Sequence, residues 1–222
     1  MDIILIGAPG AGKSTQAERL SQILNIRHVA SGDLFRKAFQ EQTELALKAQ
    51  QYIDLGELVP DEMTIPVVLG HIEEPESMHG VLLDGFPRTL AQAKALDTEL
   101  QRIHRQIDLA IYLMLPLEVL LKRITGRLFC YAHQHVYHET FRPPKVADRC
   151  DLDGSTLYKR PDDTGEVLRR RFVIFFNEVT QVLDYYREQL KLREVDDNQS
   201  IDQVQALLLN EINNSMRGET KG

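Results

Sequence analysis

The 222-residue chain has only two cysteines, Cys130 and Cys150, and no apolar run near the roughly 20 residues that span a bilayer. The second absence removes a membrane span, and the start "MDIILI", with acidic Asp2 and no basic flank, is unlike a cleavable leader. Two cysteines cannot frame a disulfide-stapled fold; in a reducing compartment they serve as ligands, a redox pair or inert core residues. A cytoplasmic location is therefore expected. There is also no excess of positive charge: 26 Lys and Arg face 33 Asp and Glu, a formal net charge of −7. That balance disfavours a general grip on polyanions but leaves room for a local anion pocket of clustered arginines. Repeats and low-complexity tracts are missing, and only the terminal "SMRGETKG", residues 215–222, reads as a frayed polar tail.

What is present is an alternation. Apolar content of 43% with 27% charged residues describes a globular chain of one or two domains. Short apolar runs at 2–6, 81–83, 109–115 and 192–195, bounded by Gly, Pro or Asp, read as buried strands. Between them, residues 13–24 put Ala17, Leu20, Ile23 and Leu24 on one helical stripe, and 89–103 does the same behind a Thr89 N-cap. A longer helix is predicted over 164–187, and a last one opens with Ser200 and Gln203 in capping-box spacing. Strands alternating with helices predict an α/β fold, a parallel sheet flanked by helices. Two segments interrupt it. Residues 31–59 read as two short helices, the first capped by Ser31 and the second ending near Gly56, while 127–162 has no helical period. Both are expected as insertions on the core. A helix from Asp61 would contain Pro66, so it is expected to bend or to start later.

"GAPGAGKST" follows the first strand and precedes the first helix, so Gly7, Gly12, Lys13 and Ser14 satisfy G-x-x-x-x-G-K-[ST] in its required context. Glycines let successive N–H groups converge on phosphate oxygens, the helix N-terminus adds positive potential, and Lys13 reaches the outer phosphates of a nucleoside triphosphate. "VLLDGFPRT" then places Asp84 at a strand end, where a carboxylate beside a P-loop holds water on Mg²⁺. Arg36, Arg88, Arg123, Arg127, Arg160 and Arg171 fall at the openings of the two interruptions or on helices flanking them. Phosphoryl transfer between two anionic nucleotides gathers negative charge and needs such a set of fixed cations.

These motifs are jointly specific. Together with "SGDLFR" at 31–36, "GELVPDE" at 56–62, "KRITGR" at 122–127, "VYH" at 136–138, "PPK" at 143–145 and "RPDD" at 160–163, they make the chain resemble adenylate kinase along essentially its whole length. The resemblance implies a P-loop core (1–29, 60–126 and 164–222), a helical AMP-binding insertion (30–59) and a long lid (127–163). It also implies transfer from ATP to AMP giving two ADP with Mg²⁺. Gly10, Ala11, Gly12, Lys13, Ser14 and Thr15 would then cradle the donor phosphates, with Arg123 and Arg127 approaching the donor and Val136 and Tyr137 packing near its base. Ser31, Arg36, Glu57, Leu58, Val59, Gly85, Phe86, Pro87, Arg88 and Gln92 would hold the acceptor, with Arg160 and Arg171 closing on the phosphates. Lys13, Arg88, Arg123, Arg160 and Arg171 would be the catalytic set. Ser14 stands where the family often has Gly, adding a hydroxyl near phosphates or metal, and Ser31 where Thr is common.

Within the lid, some members of that family carry a structural zinc at two paired positions, which here read Cys130, His133, Cys150 and Asp153. The spacing C-x₂-H-x₁₆-C-x₂-D suits two tight turns delivering four ligands to Zn²⁺. A polar cluster without metal and a Cys130–Cys150 disulfide are the alternatives; His135 and His138 compete as ligands, the paired spacing favouring His133. Other acceptors or GTP as donor define the nearest rival kinases. A P-loop switch lacks its guanine-reading N-K-x-D element here, and a zinc nucleic-acid module would need a basic face that the mixed charges around the cysteines do not supply. A monomer without nucleic-acid or membrane partners is expected.

Overall fold

A computed structural model of the chain describes residues 1–217, apart from the Gln40 side chain. Four strands come first: β1 (Ile3–Ile6), β2 (Arg27–Ala30), β3 (Val81–Asp84) and β4 (Leu109–Met114). After the short strands β5 (Arg127–Cys130), β6 (Val136–His138) and β7 (Leu157–Tyr158) comes β8 (Leu192–Asp196). One parallel sheet runs β2-β3-β1-β4-β8, and a separate antiparallel sheet runs β6-β5-β7. The helices are α1 (Lys13–Leu24), α2 (Ser31–Gln40), α3 (Glu44–Leu55), α4 (Asp61–Glu73), α5 (Leu90–Arg102), α6 (Leu117–Thr125), α7 (Gly165–Glu188) and α8 (Ile201–Met216). Among the described residues no helix is long and apolar enough to cross a membrane.

The period of two along a strand builds both faces of the large sheet. Ile3 and Leu5 pack with Leu20 of α1 and Leu208 of α8, whereas Ile4 and Ile6 join Val68 of α4, Leu96 of α5 and Tyr186 of α7. Burial on both faces explains why "IILI" and "VLLD" are continuous runs rather than alternating ones. Truncating a wholly buried side chain such as Leu96 to Ala would cost about 2–5 kcal/mol. Because β1 pairs with β3 on one side and β4 on the other, chain direction across the sheet reverses at β1, and the loops at its C-terminal end open into a crevice.

Several local expectations differ from the structure. Strand β2 was not foreseen, because "RHVA" at the sheet edge carries two half-buried polar residues and makes no apolar run. Ser31 is the first residue of α2 rather than its cap; its hydroxyl donates to the Gly85 carbonyl at 2.8 Å. Helix α4 starts at Asp61, not later, and continues through Pro66. Ile23 lies on the solvent side of α1, 56% exposed. Residues 215 and 216 of the expected tail finish α8, and 218–222 lie outside the described residues.

Candidate nucleotide site and lid cluster

The loop from β1 into α1 depends on two glycines with positive φ, Gly10 (87°) and Gly12 (70°). A Cβ on Gly10 would stand 2.8 Å from the Leu120 carbonyl oxygen, so α6 packs too close for any other residue. Gly12 caps α1 without a side-chain acceptor, which leaves the first N–H groups of the helix aimed at an incoming anion. Lys13 Nζ donates to the Gly7 and Ala8 carbonyls at 2.8 and 3.1 Å. Burial pulls its ammonium down to about 8, Asp84 opposing this and Arg88, Arg127 and Arg171 reinforcing it. Parallel register sets Asp84 beside Leu5, within 2.5 Å of the Ser14 hydroxyl that donates to it. Burial works to raise that carboxyl, but His28, Lys13 and Ser14 outweigh it and hold Asp84 at about 2. His28, whose Nε2 is 3.7 Å from Asp84, sits on the unforeseen strand and escaped sequence reasoning for that reason.

Beside the P-loop lies a cleft lined by Lys13, Ser31, Arg36, Glu57, Leu58, Val59, Gly85, Pro87, Arg88, Gln92 and Arg171. It also takes in Phe35, Ile53, Thr64 and Phe175, none of them expected at the site: the three apolar residues look like ordinary core, and Thr64 belongs to no motif. Phe86 differs from expectation: its ring is 1% exposed and packed with Leu83 and Val29 in the core, so its side chain does not face the cleft. Gln92 is fixed by Asp61, to which Nε2 donates at 2.6 Å, and its Oε1 accepts from the Arg88 backbone at 2.7 Å. Arg88 Nε donates to Gly85 O at 2.7 Å; burial, then repulsion from Arg171, lowers its guanidinium to about 10.

The remaining arginines ring this region in two ways. Arg123 stands near Gly12 and is clamped by Asp197, at 2.8 Å to the carboxylate and 2.8 Å to the carbonyl. Burial drives Asp197 up to about 6 against the pull of Arg123. Arg127 and Arg171 share Asp163 at 2.8 and 2.7 Å, Arg171 also reaches Asp162, and Arg36 pairs with Asp33. Arg160 has no carboxylate partner among the described residues. Gly10, Ala11, Gly12, Ser14, Thr15, Arg123, Arg127, Val136, Tyr137 and Arg160 lie outside the cleft that gathers the expected acceptor residues.

In the small sheet Arg127, Phe129, Val136, Tyr158 and His138 share one face, and Leu128, Cys130, Tyr137 and Leu157 the other. Tyr137 therefore turns into the lid interior rather than toward a base: its hydroxyl lies 3.5 Å from Cys150 Sγ and accepts from Asp151 N at 2.8 Å. Only Val136 of that expected pair stands on the opposite face.

The same alternation changes the metal-type cluster. Cys130, His135, Cys150 and Asp153 bring one donor atom each within 4.8 Å of one another. His135 stands two residues before Tyr137 and so points to the same interior, with Nδ1 3.3 Å from Cys150 Sγ and 3.2 Å from Asp153. His133, the expected ligand, lies in the turn with its side chain 66% exposed, its Nδ1 donating to Asp153 Oδ2 at 2.9 Å. Both cysteines are unpaired. Although burial favours the thiol, the Tyr137 hydroxyl and the Leu152 and Asp153 backbones hold Cys150 at about 7. Hydrogen bonds from Cys130, Ser155 and His133 keep Asp153 far below the usual carboxylate range. Two sulfurs, an imidazole and a carboxylate at this spacing fit a tetrahedral zinc.

A family model described as Adenylate kinase matches residues 5–191. The chain belongs to the adenylate kinase family. Proteins named adenylate kinase from Shouchella clausii (strain KSM-K16) and Staphylococcus aureus (strain Mu50 / ATCC 700699) are each 44% identical to it. The first match covers 93% of this chain and 95% of the relative, the second 92% and 95%. An adenylate kinase from Listeria monocytogenes serotype 4a (strain HCC23) is 43% identical over 204 residues. Adenylate kinase thus accounts for both the P-loop at one end of this family member and the arginines around its cleft.

Proposed function

We propose that the chain catalyses reversible transfer of the terminal phosphoryl group of MgATP to AMP, giving two ADP. The observation that carries this reading is one cleft, next to a P-loop, into which Lys13, Arg36, Arg88 and Arg171 all converge. The acceptor phosphate oxygen is anionic near neutral pH, so no general base is required, and catalysis is in-line positioning with charge stabilisation. Gly10 to Thr15 bind the donor phosphates through backbone N–H groups. Lys13, now held by two carbonyls, would turn to phosphate oxygens, and Asp84 with its Ser14 partner would hold the Mg²⁺ that accompanies ATP, which neutralises phosphate charge. Arg123 and Arg127 hold the donor, with Val136 beside its base. Arg36 and Arg88 hold the acceptor with Ser31, Glu57 to Val59, Gly85, Pro87 and Gln92. Arg160 and Arg171 close on the transferred group as the lid excludes water.

In this reading residues 1–29, 60–126 and 164–222 form the core, 30–59 the acceptor insertion and 127–163 the lid. Cys130, Cys150, Asp153 and His135 would hold zinc there, which when bound supplies a cross-link between the two lid turns and no chemistry of transfer. The same reading takes the protein as a cytoplasmic monomer with no nucleic-acid partner, for which the charge of −7 is the support. The test is ADP formation from ATP and Mg²⁺ with AMP, GMP, CMP or UMP. AMP is expected to be preferred; faster turnover with another acceptor, or equal ATP loss with none, overturns the reading.

A further inference from the structure

Arg160 is held unlike its neighbours. Arg36, Arg123, Arg127 and Arg171 are paired with carboxylates and Arg88 donates to the Gly85 carbonyl, whereas the Arg160 guanidinium carbon lies 3.4 Å from the centroid of the Phe129 ring. Arg127 approaches the same ring at 4.9 Å. One edge of Arg160 donates from Nη2 to Gln134 Oε1 at 2.9 Å, and Gln134 is itself anchored on the Cys130 carbonyl and the Tyr158 hydroxyl. Its Nε is buried with no partner. The perch follows from strand register: Phe129 pairs with Tyr158, and Arg160 lies two residues further along the chain, on the same side.

The distinction has a physical consequence. A carboxylate competes with phosphate for the in-plane N–H groups of an arginine and must be displaced when phosphate arrives. An aromatic face stabilises the cation from above and leaves that plane open. We propose that Phe129 is a positioning residue for phosphoryl transfer, stacking on Arg160 so that the guanidinium meets the phosphates with no bound carboxylate to displace, with Gln134 fixing its rotation. This rests on the reading of Arg160 as a phosphate-contacting residue.

A double-mutant cycle separates the two. In steady-state assays Arg160→Ala is expected to lower kcat about 100-fold. Phe129→Leu should lower it about 5- to 20-fold with KM for ATP and AMP moving less, and Phe129→Tyr should stay within about twofold of the parent. Phe129→Leu added to Arg160→Ala should then cost nothing further in kcat, while its loss of melting temperature persists. Gln134→Ala, at a turn position outside the lid core, should show a smaller kcat loss with the same coupling, and serves if Phe129→Leu fails to fold. Additive losses in the double variants, or equal slowing by Leu and Tyr at position 129, overturn the perch alone. Unchanged kcat in Arg160→Ala overturns the role of Arg160 itself.

Discussion

The P-loop end of the large sheet and the lid sheet hold polar groups against different backgrounds. Around the P-loop, strands buried on both faces supply a deep apolar scaffold, and it keeps Lys13 and Asp84 fixed with strongly displaced proton affinities. In the lid only Cys130, Tyr137, Cys150 and Leu157 form a buried cluster, with Leu128 packed against it. So small a core offsets little of the ordering entropy of about 35 residues, and in the proposed reading zinc held by the sulfur, imidazole and carboxylate cluster would take over part of that task. The two polar groupings should therefore fail differently: one by losing turnover, the other by losing stability.

The sharpest test of the contrast is Lys13→Met, expected to lower kcat about a thousandfold or more with the fold retained. Near-normal turnover in the folded variant would sink the mechanism. Lys13 titrates at about 8 in the folded protein against an ordinary 10.5, so the unfolded chain holds the extra proton between those values. Its buried charge therefore costs stability below pH 8, and that cost is relieved as pH rises to 10.5. The ligand-free variant should melt above the parent at pH 7, by about 2–4 °C for each kcal/mol relieved, and the gap should close across that window. A constant gap would break the assignment.

Next in size is the lid. Chelation of the zinc-loaded protein, or Cys150→Ser, should lower the melting temperature by about 5–10 °C, with a smaller effect on the intrinsic transfer step. Zinc content measured in His135→Ala and His133→Ala then decides between the two histidines: loss is expected for the former. Retention there with loss in His133→Ala would return the site to its paired spacing. The smallest effect is expected from Ser14→Gly, which removes the hydroxyl on Asp84 and should shift the Mg²⁺ concentration for half-maximal rate by only about two- to threefold. An unchanged magnesium dependence would leave that hydrogen bond a purely local contact.

Much of this was legible along the chain. The P-loop, the alternation of strands and helices, the Thr89 cap, the capping box at Ser200 and the carboxylate at the end of β3 are all local patterns, in which neighbours in sequence are neighbours in space. The short edge strand β2 was not, because its two half-buried polar residues erase the apolar signal. Nor were the pairings of Asp197 with Arg123 and of Asp61 with Gln92, which join residues 74 and 31 positions apart.

The family, the fold class and the residue types gathered for phosphoryl transfer all follow from contiguous motifs and could be read along the chain. Tertiary structure decided which way individual side chains face: Phe86 into the core, Tyr137 into the lid, His135 rather than His133 toward the cysteines, and Arg160 onto Phe129. Most of those orientations depend on strand register and a period of two, where a shift of a single residue exchanges inside for outside.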